Sequence, residues 1–179
     1  MLRAAVPTVL VATLLLAACS DDTEDQSGLS VFAGNISGVY TGPIAGRAVF
    51  GVTLDGSANA SGFSLVLGEG GAARIALFAY TTPTPRVGTY EIVAPGTAAT
   101  ADTVFQGSLT YAVGAIPQVF EIRGGSITLT QASHNRTIGD FVLTAQRTRP
   151  ADNAEVTITG TFDAAQIPQV FPQQRQPVP

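Results

Sequence analysis

Val156-Thr157-Ile158-Thr159-Gly160-Thr161-Phe162 is the stretch that decides the fold. Large apolar residues at 156, 158 and 162 alternate with threonines at 157, 159 and 161. Successive side chains of a strand point to opposite faces, so this spacing buries one face and wets the other. Threonine's branched Cβ also fits a pleated surface better than a helix. A helical period of 3.6 would mix the two polarities on every side.

The same alternation continues upstream. Phe141, Leu143 and Ala145 are predicted inward, against Asp140, Val142 and Thr144. Ser133-His134-Asn135-Arg136 reads as the polar tip of a hairpin. Phe120 and Ile122 share a face, but beyond Gly124-Gly125 the apolar pair is Ile127 and Leu129, so the parity has changed. A one-residue slip would turn every later side chain over, which predicts a β-bulge or short turn at the two glycines.

Residues 104–113 alternate again, with Phe105, Leu109 and Tyr111 on one side. Tyr90 and Ile92 are predicted inward within residues 88–93, and residues 94–102 form a small-residue loop. Ile75-Ala76-Leu77-Phe78-Ala79-Tyr80 is apolar on both faces and predicts a strand covered on both sides. Gly68-Glu69-Gly70-Gly71 predicts the hairpin before it, and Asp55-Gly56 another turn. Phe63, Leu65 and Leu67 share a face, as do Phe50, Val52 and Leu54. Thr81-Thr82-Pro83-Thr84-Pro85 cannot be a central strand, because proline lacks an amide donor.

This reading yields about nine short strands joined mostly by tight turns, with neighbours pairing antiparallel. The expected fold class is all-β: an antiparallel β-sandwich, with a closed meander, calycin-like barrel as the alternative. The domain is expected over residues 31–163. Residues 164–179 are rich in glutamine and proline and are expected to form an extended tail. Ile116-Pro117-Gln118-Val119-Phe120 recurs as Ile167-Pro168-Gln169-Val170-Phe171, but the flanking segments do not repeat, which favours coincidence over duplication.

The first 18 residues differ from the rest. Arg3 supplies a short positive region, residues 4–16 an apolar run, and Ala17-Ala18 two small residues before Cys19, the single cysteine. The run contains Pro7 and is shorter than the roughly 20 apolar residues of a spanning helix. Leu16-Ala17-Ala18-Cys19 resembles the lipobox of bacterial lipoproteins. The resemblance implies a signal helix lying outside the domain and cleaved between Ala18 and Cys19. It also implies a diacylglyceryl thioether on the Cys19 sulfur and an acyl group, such as palmitate, on the new N-terminus. The expected consequence is attachment to a bacterial envelope membrane, with the domain periplasmic or surface-exposed. In the sorting rule for such proteins, Ser20 favours the outer over the inner membrane. Residues 19–30, rich in Asp, Glu, Ser and Gly, read as a lipidated tether. Its root-mean-square reach is roughly 15–20 Å.

Composition narrows the function. Loss of the 18-residue leader leaves 161 of 179 residues, enough for one domain with its own core. Loss of Arg3 takes the formal charge from −4 to −5. Such a balance opposes nucleic-acid binding, which needs a basic surface. With Cys19 used for lipid, stability must come from packing and sheet hydrogen bonds alone. The β-rich part, on its glycine-started, threonine-rich closing strands over residues 125–130, 139–145 and 156–162, also resembles bacterial lipoprotein domains of unknown function.

No residue set points to catalysis, a cofactor or a metal. His134 is the single histidine; it lies beside Ser133 in a predicted turn with no carboxylate nearby in sequence. Glu69, Glu91, Asp102, Glu121 and Asp140 fall at turns or on predicted solvent faces. Asp21, Asp22, Glu24 and Asp25 lack the glycine and closing glutamate of a calcium loop. Tyr40, Tyr80, Tyr90 and Tyr111 would make a carbohydrate platform only if several were exposed together, and their strand positions favour packing.

Three functions follow. The first is a non-catalytic module that contacts an envelope protein or glycan. The second is a carrier of a small apolar ligand, although the chain has no tryptophan and so lacks the lipocalin Gly-x-Trp signature. The third, a membrane-spanning barrel, is disfavoured by strands expected to be shorter than the required 9–11 residues.

Overall fold

The computed structural model describes residues 30–54, 60–79, 85–97 and 104–167. These residues form nine strands and no helix. They are β1 (Val31–Gly38), β2 (Gly42–Leu54), β3 (Ala60–Glu69), β4 (Ala73–Ala79), β5 (Gly88–Val93), β6 (Val104–Val113), β7 (Ile116–Ala132), β8 (Arg136–Arg149) and β9 (Glu155–Gln166). The all-β reading and the strand number agree with the sequence. The signal segment, residues 19–29 of the tether, the Asp55-Gly56 turn and residues 168–179 of the tail lie outside the described residues. Residues 164–166, read as tail, complete β9.

All nine strands share one sheet, and its pairing order closes on itself: β1-β2-β3-β4-β6-β5-β7-β8-β9, with β9 paired back to β1. The expected separation into two sheets is therefore not seen in the hydrogen bonding. Nor is the order a simple meander. The long β7 is shared: Ile116–Glu121 pairs with β6, and Gly124–Leu129 pairs with β5. β5 wedges between β6 and β7, and its Glu91 and Ile92 run parallel to Val104 and Phe105. A second parallel contact joins Val49 and Phe50 of β2 to Ala165 and Gln166 of β9, just beyond the start of β1. The rule of antiparallel neighbours fails at these two places.

The parity change in β7 is a β-bulge. Ile122 pairs with Ala145 and Gly124 with Thr144, so Arg123 is the extra residue. Gly125 follows at φ 126°, and a Cβ there would sit 2.0 Å from the Val142 carbonyl oxygen. Only glycine fits that backbone. Inward residues accordingly shift from Phe120 and Ile122 to Ile127 and Leu129.

The inside of the closed sheet is packed. Phe32, Phe105, Phe120, Phe141, Leu65 and Leu109 are 2% exposed or less. Each such side chain contributes roughly 1.5–3 kcal/mol by leaving water. Phe105 meets Phe63 and Tyr90 edge-on, at 6.1 and 5.4 Å between ring centres. Gly139 faces Phe162, and Gly160 faces Phe141, so missing side chains admit the rings. The outer face is largely polar: Thr159, Thr161, Asp140, Thr144 and Thr148 are exposed, and Thr89 and Thr128 touch across β5 and β7 at 3.2 Å.

Strand length corrects one expectation. β2, β3, β6, β7, β8 and β9 have 13, 10, 10, 17, 14 and 12 residues. They are long enough to span a bilayer, so length is no argument against a membrane barrel. Polarity is: a spanning barrel has an apolar outer band and a polar interior. Here most of the phenylalanines and large aliphatic side chains are buried, Val31, Val113, Ile116 and Val142 being exposed, and Thr130, Thr144, Thr148, Thr159 and Thr161 are exposed while Thr137 is buried.

Candidate functional site

The closed sheet has two unlike ends. At the hairpin end lie the β1–β2, β3–β4, β6–β7 and β8–β9 turns. At the other end, the terminal end, lie Ser30, Ile167 and the β7–β8 turn. Each carries a feature that the sequence reading missed or left open.

At the hairpin end an arginine points inward. Phe141, Leu143, Ala145 and Arg147 occupy alternate positions of β8, all on the buried face. The Arg147 Nε donates to Asp152 Oδ1 at 2.7 Å, and Nη2 donates to Oδ2. Nη1 donates to the Tyr40 hydroxyl at 2.7 Å and to Gln118 Oε1 at 3.3 Å. The guanidinium carbon lies 5.7 Å from the Tyr40 ring centre and 6.0 Å from that of Phe120. Four of the five guanidinium N–H groups are thus engaged. The hydrogen bond from Arg147 holds the Asp152 carboxyl below its ordinary range, against opposing desolvation and with help from the Ala154 amide. The same bond pushes the Arg147 guanidinium up. With four of its donors engaged and the Tyr40 and Phe120 rings beside it, Arg147 closes the hairpin end as a plug. The sequence did hold its signal, because 147 continues the inward parity of 141, 143 and 145.

At the terminal end the core stops short of the rim and leaves a cup of about 270 Å³. Phe50 and Phe63, stacked at 5.5 Å, are the buried aromatic part of its lining. Ala132, Thr137, His134 and Gln166 also line it. Ile167 donates its amide to the Phe50 carbonyl at 2.8 Å, which fixes the end of β9 beside the cup. A bidentate pair, Arg136 to Asp163 at 2.9 and 2.5 Å, laces β8 to β9 nearby. A further depression of about 380 Å³ lies on the outer face between Val31, Thr130, Ile138 and Asp163.

The residues weighed for chemistry do not converge. His134 is exposed at the tip of the β7–β8 turn. The Ser133 hydroxyl donates to the Arg136 carbonyl at 2.9 Å and accepts the Arg136 amide at 3.1 Å, so it serves the turn. Glu69, Glu91 and Asp140 are exposed on different strands, and Glu121 pairs with Arg123 at 2.7 Å. Among the described residues, no three His, Cys, Asp or Glu side chains come together as a metal site. Tyr90 is 7% exposed, with its hydroxyl on the Arg86 carbonyl at 2.6 Å, and Tyr40 packs against Tyr111 in a tilted pair at 5.0 Å. These three pack rather than form a platform. Ala18, Cys19, Tyr80, Asp102 and the acidic residues at 21, 22, 24 and 25 lie outside the described residues.

Comparison with protein-family models, curated proteins and solved structures finds no match. The functional reading therefore rests on the chain's own chemistry.

Proposed function

We propose that this chain is a lipid-anchored protein of a bacterial envelope, and that its β domain is a non-catalytic interaction module for an envelope protein or glycan. The observation that carries the proposal is Leu16-Ala17-Ala18-Cys19 behind a short basic region and an apolar run. A lone thiol on an exported chain is a reactive liability, and lipidation gives this one a purpose. Ser20 makes the outer membrane the preferred address.

The shape of the domain supports the reading. We take the closed pairing order as a barrel filled by its own side chains, in preference to a sandwich. A filled barrel carries function on its surface and ends rather than in a lumen. β1 begins at Val31, 12 positions after Cys19, so a tether delivers the chain to the terminal end and leaves the four hairpins facing outward.

Fractionation of expressing cells tests the anchor. Wild-type protein is expected in the membrane fraction with an acylated Cys19 peptide by mass spectrometry, and Cys19→Ser in the soluble fraction. An unmodified Cys19, or a leader still attached, overturns the proposal. Crosslinking of intact cells then identifies the partner.

A further inference from the structure

We propose that the β6–β7 hairpin docks on a lipid surface, with Val113 and Ile116 entering the acyl layer while Arg74 and Arg149 meet the phosphates. Between Asp102 and Glu121 the chain carries no charged residue, and this stretch turns round at Gly114-Ala115. Residues 112–117 are all exposed, Ile116 to 67% and Val113 to 43%. The turn also stands clear of its neighbours. β4 pairs up to Ala73, opposite Tyr111, and the last bond on that side runs from the Ala112 amide to the Ala72 carbonyl. β8 pairs only up to Arg149, opposite Val119. Val39, on the uncharged β1–β2 turn, adds a third exposed apolar residue to this end.

Charge selects the partner. On the outer face Arg74, Thr110, Val119 and Arg149 stand in one row across β4, β6, β7 and β8. The row lies three residues, about 10 Å, behind Val113. A tip seated among acyl chains therefore brings both guanidinium groups to the headgroup phosphates, which arginine binds well. Neither arginine has a carboxylate partner among the described residues. The chain as a whole is acidic, but the carboxylates of this end are engaged or set back. Glu69 lies 4.0 Å from Arg47, Asp152 holds Arg147, and Glu121 pairs with Arg123 at 2.7 Å. Glu155 is in register with Gln146 and Glu121, further from the tip than the row. Tyr40 and Tyr111, half-buried at the base of the hairpin, have the amphipathic rings that favour a headgroup layer. Area disfavours a protein partner: six exposed residues fall short of the roughly 1,000 Å² of a specific interface. A bilayer needs no complementary shape. The inference is independent of the lipid anchor.

The chain has no tryptophan, so one introduced indole reports alone. In the full-length protein, Ile116→Trp emission is expected to shift to shorter wavelength on addition of phosphatidylglycerol-containing vesicles, and to be quenched by brominated acyl chains. Val142→Trp, on the outer wall, is expected to keep the emission of an exposed indole. Adding Arg74→Gln and Arg149→Gln should raise the lipid concentration needed for the Ile116→Trp shift by about thirtyfold. Methyl NMR of wild-type protein needs no variant: spin-labelled acyl chains should broaden Val113 and Ile116 first. The emission and NMR probes are local, so they read the tip whether or not Cys19 carries lipid. No shift or quenching, an equal response from Val142→Trp, an undiminished response without the two arginines, or broadening centred elsewhere would overturn the proposal. So would a shift that follows protein concentration instead of vesicles, which assigns the tip to a protein contact.

Discussion

Gly160 on β9 and Phe141 on β8 face each other inside the sheet, and a Cβ on Gly160 would lie 2.9 Å from the Phe141 ring. It would also meet the Ala33 carbonyl oxygen at 2.6 Å and Gly34 Cα at 3.0 Å. The ring could turn; the backbone of β1 could not. Gly160→Ala is therefore expected to lose about 1–3 kcal/mol by overpacking. Gly51 is the control, because its added Cβ meets only Ser64 Oγ at 3.5 Å. Gly51→Ala should be neutral or gain about 0.4–1 kcal/mol by restricting the unfolded chain. Urea unfolding of both variants measures the contrast, and equal losses would show that the ring does not occupy the glycine site.

Val142 and Leu143 are adjacent in β8 but 47% and 0% exposed. Leu143→Ala should cost about 2–5 kcal/mol through loss of burial and a residual cavity. Val142→Ala should stay within about 0.5 kcal/mol, as for most surface changes. Reversed costs in the same urea series would mean that the strand is turned the other way.

Arg123 is needed as a spacer more than as a charge. Its pair with Glu121 is partly exposed, with side chains 44% and 27% accessible, and is worth about 0–1 kcal/mol. Arg123→Ala should fold normally. Deletion of the residue removes the bulge and turns Ile127 and Leu129 outward, so the deletion variant should fail to give a cooperative unfolding transition. Circular dichroism on heating distinguishes the two.

The Asp152 carboxyl has a lower pKa folded than unfolded, owing to Arg147. The native state thus binds fewer protons, and the contribution is complete above the unfolded value of about 3.9. It disappears as pH falls through the folded value. Asp152→Asn should lower the unfolding midpoint at neutral pH and flatten its fall on acidification. Midpoints taken from pH 7 to pH 2 check this; parallel curves for the two proteins would remove Asp152 from the account.

The sequence displayed its strands because inward and outward residues differ so sharply in polarity. Phe141-Val142-Leu143 and Val156-Thr157-Ile158 leave no choice of face, and the two glycines after Arg123 marked the bulge by the parity they reset. What it hid was partnership. Nothing in residues 88–93 says that β5 enters between β6 and β7, because pairing of distant strands depends on edges that have no local code. Strand length was also concealed. Gly46, Gly51, Gly139 and Gly160 look like interruptions, yet each continues its strand, three of them beside a close-packed neighbour that excludes a side chain. The Arg147 plug was legible by parity but disguised by charge. The cup was out of reach, since Phe50, Ala132 and Gln166 meet only through β2, β7 and β9 together.

β1 and β9 are antiparallel neighbours, with Val31 opposite Asp163 and Gly38 opposite Val156. Tension applied between Ser30 and Ile167 would therefore load that ladder from one end, as a zipper and not in shear. Its bonds would yield one after another at low force. The seam that completes the ring is also its mechanical weak line.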